Sequence, residues 1–146
     1  MGKGTIYAIS ISLERGQLKS EVAGANIIEN YGIENDGHGG DWGRQITCLD
    51  WASVVKANKE HGLDVKPGGF AENILLEGLQ LSSAKAGTRI KLGEEVVLEV
   101  TQIGKEDHPS VVTRAYNGVS LLPKEGLFCK VVSGGRIKKG DSAEII

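Results

Sequence analysis

Between Ile33 and Arg44 the chain packs three acids, a histidine, an arginine and four glycines into twelve positions. No core strand has that composition, and polar loops carried on a rigid scaffold are where binding residues concentrate. Asp36 and His38 stand two apart with Gly37 between them. A histidine in such a loop could shuttle protons or bind a metal, or could fix the turn through backbone hydrogen bonds. The second role is the simpler one, because no other His or Cys lies nearby in sequence. Arg44 closes the segment just ahead of an apolar run. Its planar guanidinium could clamp a phosphate with two parallel hydrogen bonds, or pair with Asp36 or Asp41.

Three further groups carry possible chemistry. Gly68-Gly69-Phe70-Ala71-Glu72-Asn73-Ile74 is a glycine-led approach to a strand. Glu72 and Asn73 could meet a ligand at a pocket mouth. Alternatively, Asn73 caps the loop by side chain-to-backbone bonding and Glu72 pairs with Arg44 or Lys66. Lys105, Asp107 and His108 form a polar loop. An Asp–His pair could support acid–base work or hold a hard cation, although adjacent residues rarely point the same way. Cys48 and Cys129 are the only cysteines, and nothing points to an oxidising compartment, so both are read as reduced thiols. Cys129 alternates with Leu127 and Val131 and Cys48 shares a face with Ile46, which makes each a small buried hydrophobe. Lys130 follows Cys129, and a barrel could bring that thiol near a reactive loop.

The elements that must position these groups are short. Apolar runs separated by Gly, Asn, Asp or Pro recur along the chain, the pattern of a barrel or sandwich. Strands are predicted at 5–12, 25–28, 45–49, 88–92, 95–103, 126–132 and 142–146. On the first, Tyr7, Ile9 and Ile11 share one face and Ile6 and Ala8 the other. The pair 88–92 and 95–103 reads as a tight hairpin across Gly93-Glu94. One helix is predicted over 51–60, with Asp50 as N-cap and Gly62 closing it. A second is expected within 110–115. Lys138-Lys139 reads as a solvated turn. The result is a mostly β chain with one or two short helices, and closure into a barrel would remove exposed edges.

Bulk composition narrows the function classes. The length of 146 residues suits one domain spanning 1–146. A net charge of −2 and seven aromatics argue against nucleic acid, which needs a basic surface or stacking platforms. No apolar stretch approaches the roughly 18 residues of a membrane span, and no signal-peptide core follows Met1, so a cytoplasmic protein is expected.

The two glycine-led segments resemble the signatures of the MOSC domain family, named after the C-terminal part of molybdenum-cofactor sulfurase. Gly32-Ile33-Glu34-Asn35-Asp36-Gly37-His38-Gly39-Gly40 followed by Arg44-Gln45-Ile46 is similar to the family's Gly-x-x-x-Asp-x-His-x-Gly and Arg-Gln-Val. Pro67-Gly68-Gly69-Phe70-Ala71-Glu72-Asn73-Ile74 is similar to its Pro-Gly-x-Phe-x-Glu-Asn-Ile. Further similarities follow in order at 87–93, 98–102, 123–128 and 134–141. The resemblance implies a closed β-barrel of the pyruvate-kinase-barrel kind and a role in molybdenum-cofactor metabolism. It implies binding of a molybdenum–pterin cofactor, with Asp36, His38, Arg44, Glu72, Asn73 and Lys105 as the contact set, and pyridoxal phosphate at the family level. A cysteine desulfurase or another molybdenum-cofactor protein would be the partner.

One departure bears on the chemistry. Where short members of the family read Ile-Gly-Lys-Glu-Cys-His, this chain reads Ile103-Gly104-Lys105-Glu106-Asp107-His108. The family's cysteine is implied to carry sulfur or to ligate molybdenum, and both tasks need a soft thiolate. Asp107 cannot hold a persulfide. Three readings therefore stand. The first is an anion-binding domain that handles cofactor. The second is an enzyme using Asp107, His108 or Cys129, either a sulfur transferase or a molybdenum-dependent reductase of N-hydroxylated compounds. The third is a non-catalytic interaction module.

Overall fold

The structure is a computed structural model and describes residues 3–146. Its strands are β1 (Lys3–Ile11), β2 (Ser20–Val22), β3 (Gly24–Ile28), β4 (Gly32–Ile33), β5 (Ile46–Asp50), β6 (Ile74–Glu77), β7 (Arg89–Leu92), β8 (Val96–Ile103), β9 (Leu127–Ser133), β10 (Gly135–Lys138) and β11 (Ser142–Ile145). Its helices are α1 (Trp51–His61), α2 (Val111–Ala115) and α3 (Leu122–Glu125). Seven strands close a barrel in the order β1-β11-β7-β8-β9-β5-β6, with β6 returning to β1, and β2 extends the sheet from the far end of β1. All pairs around the barrel are antiparallel except β5 with β6, which run parallel. Parallel neighbours need a crossover, and α1 supplies it. Strands β10, β3 and β4 form a separate small sheet.

Closure gives the molecule two cores. Ile6, Ile9, Ile46, Cys48, Ile74, Leu76, Leu98, Val100 and Cys129 lie within the barrel. Ala8, Leu49, Leu75 and Phe128 point outward and pack with Val54, Ala57, Val65, Phe70, Val112 and Leu122. The side-chain period of two sets this division along β5, β6, β7 and β9. Along β9, Leu127, Cys129 and Val131 face in while Phe128 faces out.

The structure corrects the parity expected for the first strand. Its pairing with β6 shifts register between Ile6 and Ala8, so Ile6 and Ile9 both enter the barrel although three positions apart. An inserted residue at Tyr7 reverses the alternation. Tyr7 turns outward and stacks on Trp51 of α1, ring centroids 4.2 Å apart. No strand is predicted between 132 and 142, yet Gly135–Lys138 forms β10, paired with β3. Lys138 and Lys139 are tied to Asp141 and Glu21 respectively.

The helix ends follow their capping chemistry. The Asp50 carboxylate accepts from the Ala52 N–H at 3.0 Å, and Gly62 adopts a left-handed φ of 63° that closes α1. Ser110 and Thr113 form a reciprocal capping box that starts α2. Helix α3 has no such signal beyond a proline in its first turn.

Candidate functional site

The glycine-rich loop after β4, the 68–71 turn and the segment from Lys105 to α2 converge on the outer face of β5 and β9. They enclose a pocket of about 140 Å³. Its floor and walls are aromatic and apolar, from Trp42, Phe70, Val112, Leu122 and Phe128. Its polar lining is His38, Arg44, Thr47, Lys105, His108, Ser110 and Ser120, with no carboxylate and no thiol among them. The Arg44 guanidinium carbon lies 5.0 Å above the Phe128 ring, and its Nε donates to Gln102 Oε1 at 3.4 Å. The Lys105 ammonium has its pKa lowered by burial and by the nearby Arg44 charge, against the opposing pull of Asp107 and Glu106. Among the described residues, neither Arg44 nor Lys105 has a carboxylate within ion-pair distance. The expected pairing of Arg44 with Asp36 or Asp41 does not form.

Asp36 is held by a different cation. Lys19, buried at the end of the 12–19 loop, donates to Asp36 Oδ1 at 2.8 Å, to Ser12 Oγ at 3.1 Å and to His38 Nδ1 at 3.2 Å. Asp36 also accepts from the backbone N–H of Ser12 and of His38, both at 3.1 Å. It is a buried organiser of the loop and does not line the pocket. Gly37 makes this crossing possible, since a Cβ there would lie 2.6 Å from the Glu14 carbonyl carbon. His38 does line the pocket. Its ring lies parallel to that of Trp42, with centroids 6.1 Å apart, and Arg15 covers Trp42 at 4.0 Å. Burial and the Lys19 charge push the His38 pKa down to about 4.

Glu72 and Asn73 sit behind the pocket wall rather than at its mouth, each 1% exposed. Glu72 accepts from the Gly68 N–H at 2.6 Å and from the Phe70 N–H at 3.1 Å, which shapes the turn that presents Phe70 and Ala71. Its expected pairing with Arg44 or Lys66 is replaced by these backbone bonds, and Lys66 pairs with Asp64. Burial pushes the Glu72 pKa up to about 7 against the pull of those bonds. Asn73 accepts from the Thr47 N–H at 3.0 Å and donates to the Ser10 carbonyl at 3.1 Å, so it laces β5 to β1.

The three residues expected to be catalytic are dispersed. Asp107 is exposed and lies outside the pocket, in an adjoining open groove with Pro109 and Thr113. His108 borders both spaces. Cys129 is 0% exposed inside the barrel, on the opposite side of β9 from Phe128. Its thiol contacts Cys48, and this neighbour together with burial raises its pKa well above the ordinary thiol value. This corrects the expectation that Cys129 could stand in for the missing cysteine, because a buried protonated thiol is inert. Among the described residues no group of three or more His, Cys, Asp or Glu side chains is placed to hold a metal ion.

Several residues of the site carry no signal in the sequence. Lys19 lies 17 positions before Asp36 in a stretch without a motif. Phe128 reads as strand core, and its role follows only from the outward side of β9. Trp42 and Ser110 lie inside segments that drew attention for other residues.

The geometry agrees with what the chain is similar to. The sequence model of the MOSC domain family matches residues 34–144. No curated protein matches the chain. The crystal structure of YuaD from Bacillus subtilis superposes with a TM-score of 0.77 at 18% identity, over 98% of this chain and 95% of that one. YiiM from Escherichia coli does so with a TM-score of 0.69 at 18% identity, over 97% of this chain and 69% of that one. YiiM from Geobacillus stearothermophilus gives a TM-score of 0.67 at 19% identity, over 98% and 73%. At these identities the structures establish the barrel, and the family match rests on the sequence itself: this chain belongs to the MOSC domain family.

Proposed function

We propose that this MOSC domain binds the phosphate-bearing end of an anionic ligand of the molybdenum–pterin class, and that it holds or hands over that ligand without a thiol step. The observation that carries this reading is the pair Arg44 and Lys105, neither in an ion pair among the described residues, in a pocket with no acid in its lining. Arg44 and Lys105 are both half-buried and their like charges repel, and an anion between them relieves that cost. Arg44 offers a fork suited to two phosphate oxygens, Lys105 a third donor, and Ser110 and Ser120 lie in the same lining.

Size decides how much of a ligand enters. A pocket of about 140 Å³ is smaller than the roughly 300–1,000 Å³ typical for a whole drug-sized ligand. It suits a phosphate, with a planar remainder passing His108 into the adjoining groove. The residues fit that anionic end. They do not fit a thiolate-held metal, since the lining contains no sulfur and Asp107 would offer only a hard oxygen. A sulfur transferase or a reductase built on such a metal is therefore disfavoured. With both thiols buried, the partner that suits this chain is a protein that supplies or takes cofactor rather than a desulfurase.

The test is titration calorimetry with inorganic phosphate and with sulfate. Wild type should bind one anion, and Arg44→Ala should weaken binding by about tenfold or more, the loss expected for a charge-assisted hydrogen bond of about 1.5–3 kcal/mol. Equal heats from wild type and the variant would end the proposal.

A further inference from the structure

The buried ammonium of Lys19 is the least expected group in the molecule. It has no exposed side-chain surface, and its three donors meet three acceptors: Asp36 Oδ1, Ser12 Oγ and His38 Nδ1. The third contact dictates a protonation state. An ammonium has only donors, so His38 Nδ1 must accept, and the proton of the neutral ring must reside on Nε2. A protonated ring would set two N–H groups and two positive charges against each other. Lys19, Arg15 and Lys105 oppose protonation of His38 and Asp36 alone favours it, at 3.9 Å, while already neutralised by Lys19. His38 faces the pocket beside Arg44 and His108, so Nε2 is the ring nitrogen left for a ligand.

We propose that Lys19 is a positioning residue that acts through His38, locking its ring as a neutral Nε2–H donor toward the bound anion. The inference rests on the anion-binding reading above and adds the third direction from which the anion is held. It also distinguishes the two histidines of the pocket. The His108 Nδ1 lies 3.0 Å from the Pro109 carbonyl, which can only accept, so on His108 it is Nδ1 that donates to the protein. One ring is thus set by a buried cation and the other by its neighbour's backbone.

The experiment is a pH titration of the histidine ring nitrogens by NMR on the full chain, with His38 assigned by its loss in His38→Gln. In wild type, His38 is expected to remain a neutral Nε2–H ring from pH 8 to pH 5, and inorganic sulfate should shift its Nε2 signal. In Lys19→Met the midpoint of the ring should rise, because Asp36 then acts on it without the opposing Lys19 charge, and a mixture of tautomers should appear; sulfate affinity at pH 8 should fall by about three- to tenfold, the loss of one neutral hydrogen bond. The wild-type tautomer decides the matter even if that variant does not fold. A proton on Nδ1, or protonation of His38 above pH 5.5, would overturn the inference while leaving sulfate binding intact. A locked Nε2–H ring in a protein that binds no sulfate would instead overturn the anion reading, and with it the claim that this donor serves a ligand.

Discussion

Asp36 and Lys19 form a buried ion pair whose spare hydrogen-bonding capacity is used by Ser12 and His38. Such pairs add little stability over apolar packing, but removing one partner leaves a bare buried charge. Asp36→Ala should therefore lower unfolding free energy by about 3–5 kcal/mol in denaturant titrations. Two buried groups also give stability a specific pH dependence. His38 has a folded pKa near 4, below its ordinary 6.5, so its contribution is present above pH 6.5 and is lost as pH falls toward 4. Glu72 has a folded pKa near 7, above its ordinary 4.5. Its folded form binds the extra proton, so stability declines as pH rises from 4.5 to 7 and is level beyond. The two slopes oppose each other between pH 4.5 and 6.5. Wild type should show little net change there, whereas His38→Gln should lose on the order of 3 kcal/mol across pH 4.5 to 7. Denaturant midpoints in a pH series would check this, and a flat profile in the variant would contradict the Glu72 assignment.

At the scale of elements, loops are set by close backbone crossings. Gly68 has a φ of 86°, and a Cβ there would lie 2.3 Å from the Lys19 carbonyl oxygen. The Lys19 N–H in turn donates to the Gly68 carbonyl at 3.0 Å. The 68–72 turn and the Lys19 loop are therefore one unit. Gly68→Ala combines a strained backbone with a clash against main chain, and should cost about 2–4 kcal/mol while also moving His38 signals. A silent substitution would separate the two loops. Periodicity made most of the strands legible, along with α1, whose caps Asp50 and Gly62 act as their residue types require. The face assignment of β1 was not legible, because a bulge leaves no composition signal and inverts everything beyond it. Strand β10 is short and glycine-led, so turn chemistry hid it. Of the site, Arg44, His38 and Lys105 stand out by type and setting. Lys19 does not, since its partners lie 7 to 19 positions away and meet it only through the fold.

For the whole molecule, barrel closure sorts the chain's chemistry into two compartments. Both thiols lie inside, and both pocket cations lie outside. Among the described residues no helix is long and apolar enough to cross a membrane. If the barrel wall protects the cysteines, iodoacetamide should modify neither in the folded protein and both in denaturant, as read by mass spectrometry. In the outer compartment lies the proposed site for a phosphorylated cofactor, although the residue at the family's thiol position is Asp107. It is tested most directly by equilibrium binding of a phosphorylated pterin, followed by pterin fluorescence, with inorganic sulfate as competitor. Wild type should bind saturably, sulfate should displace the pterin, and Arg44→Ala and Lys105→Ala should each lose about tenfold or more in affinity. Binding unaffected by sulfate and by both substitutions would contradict it.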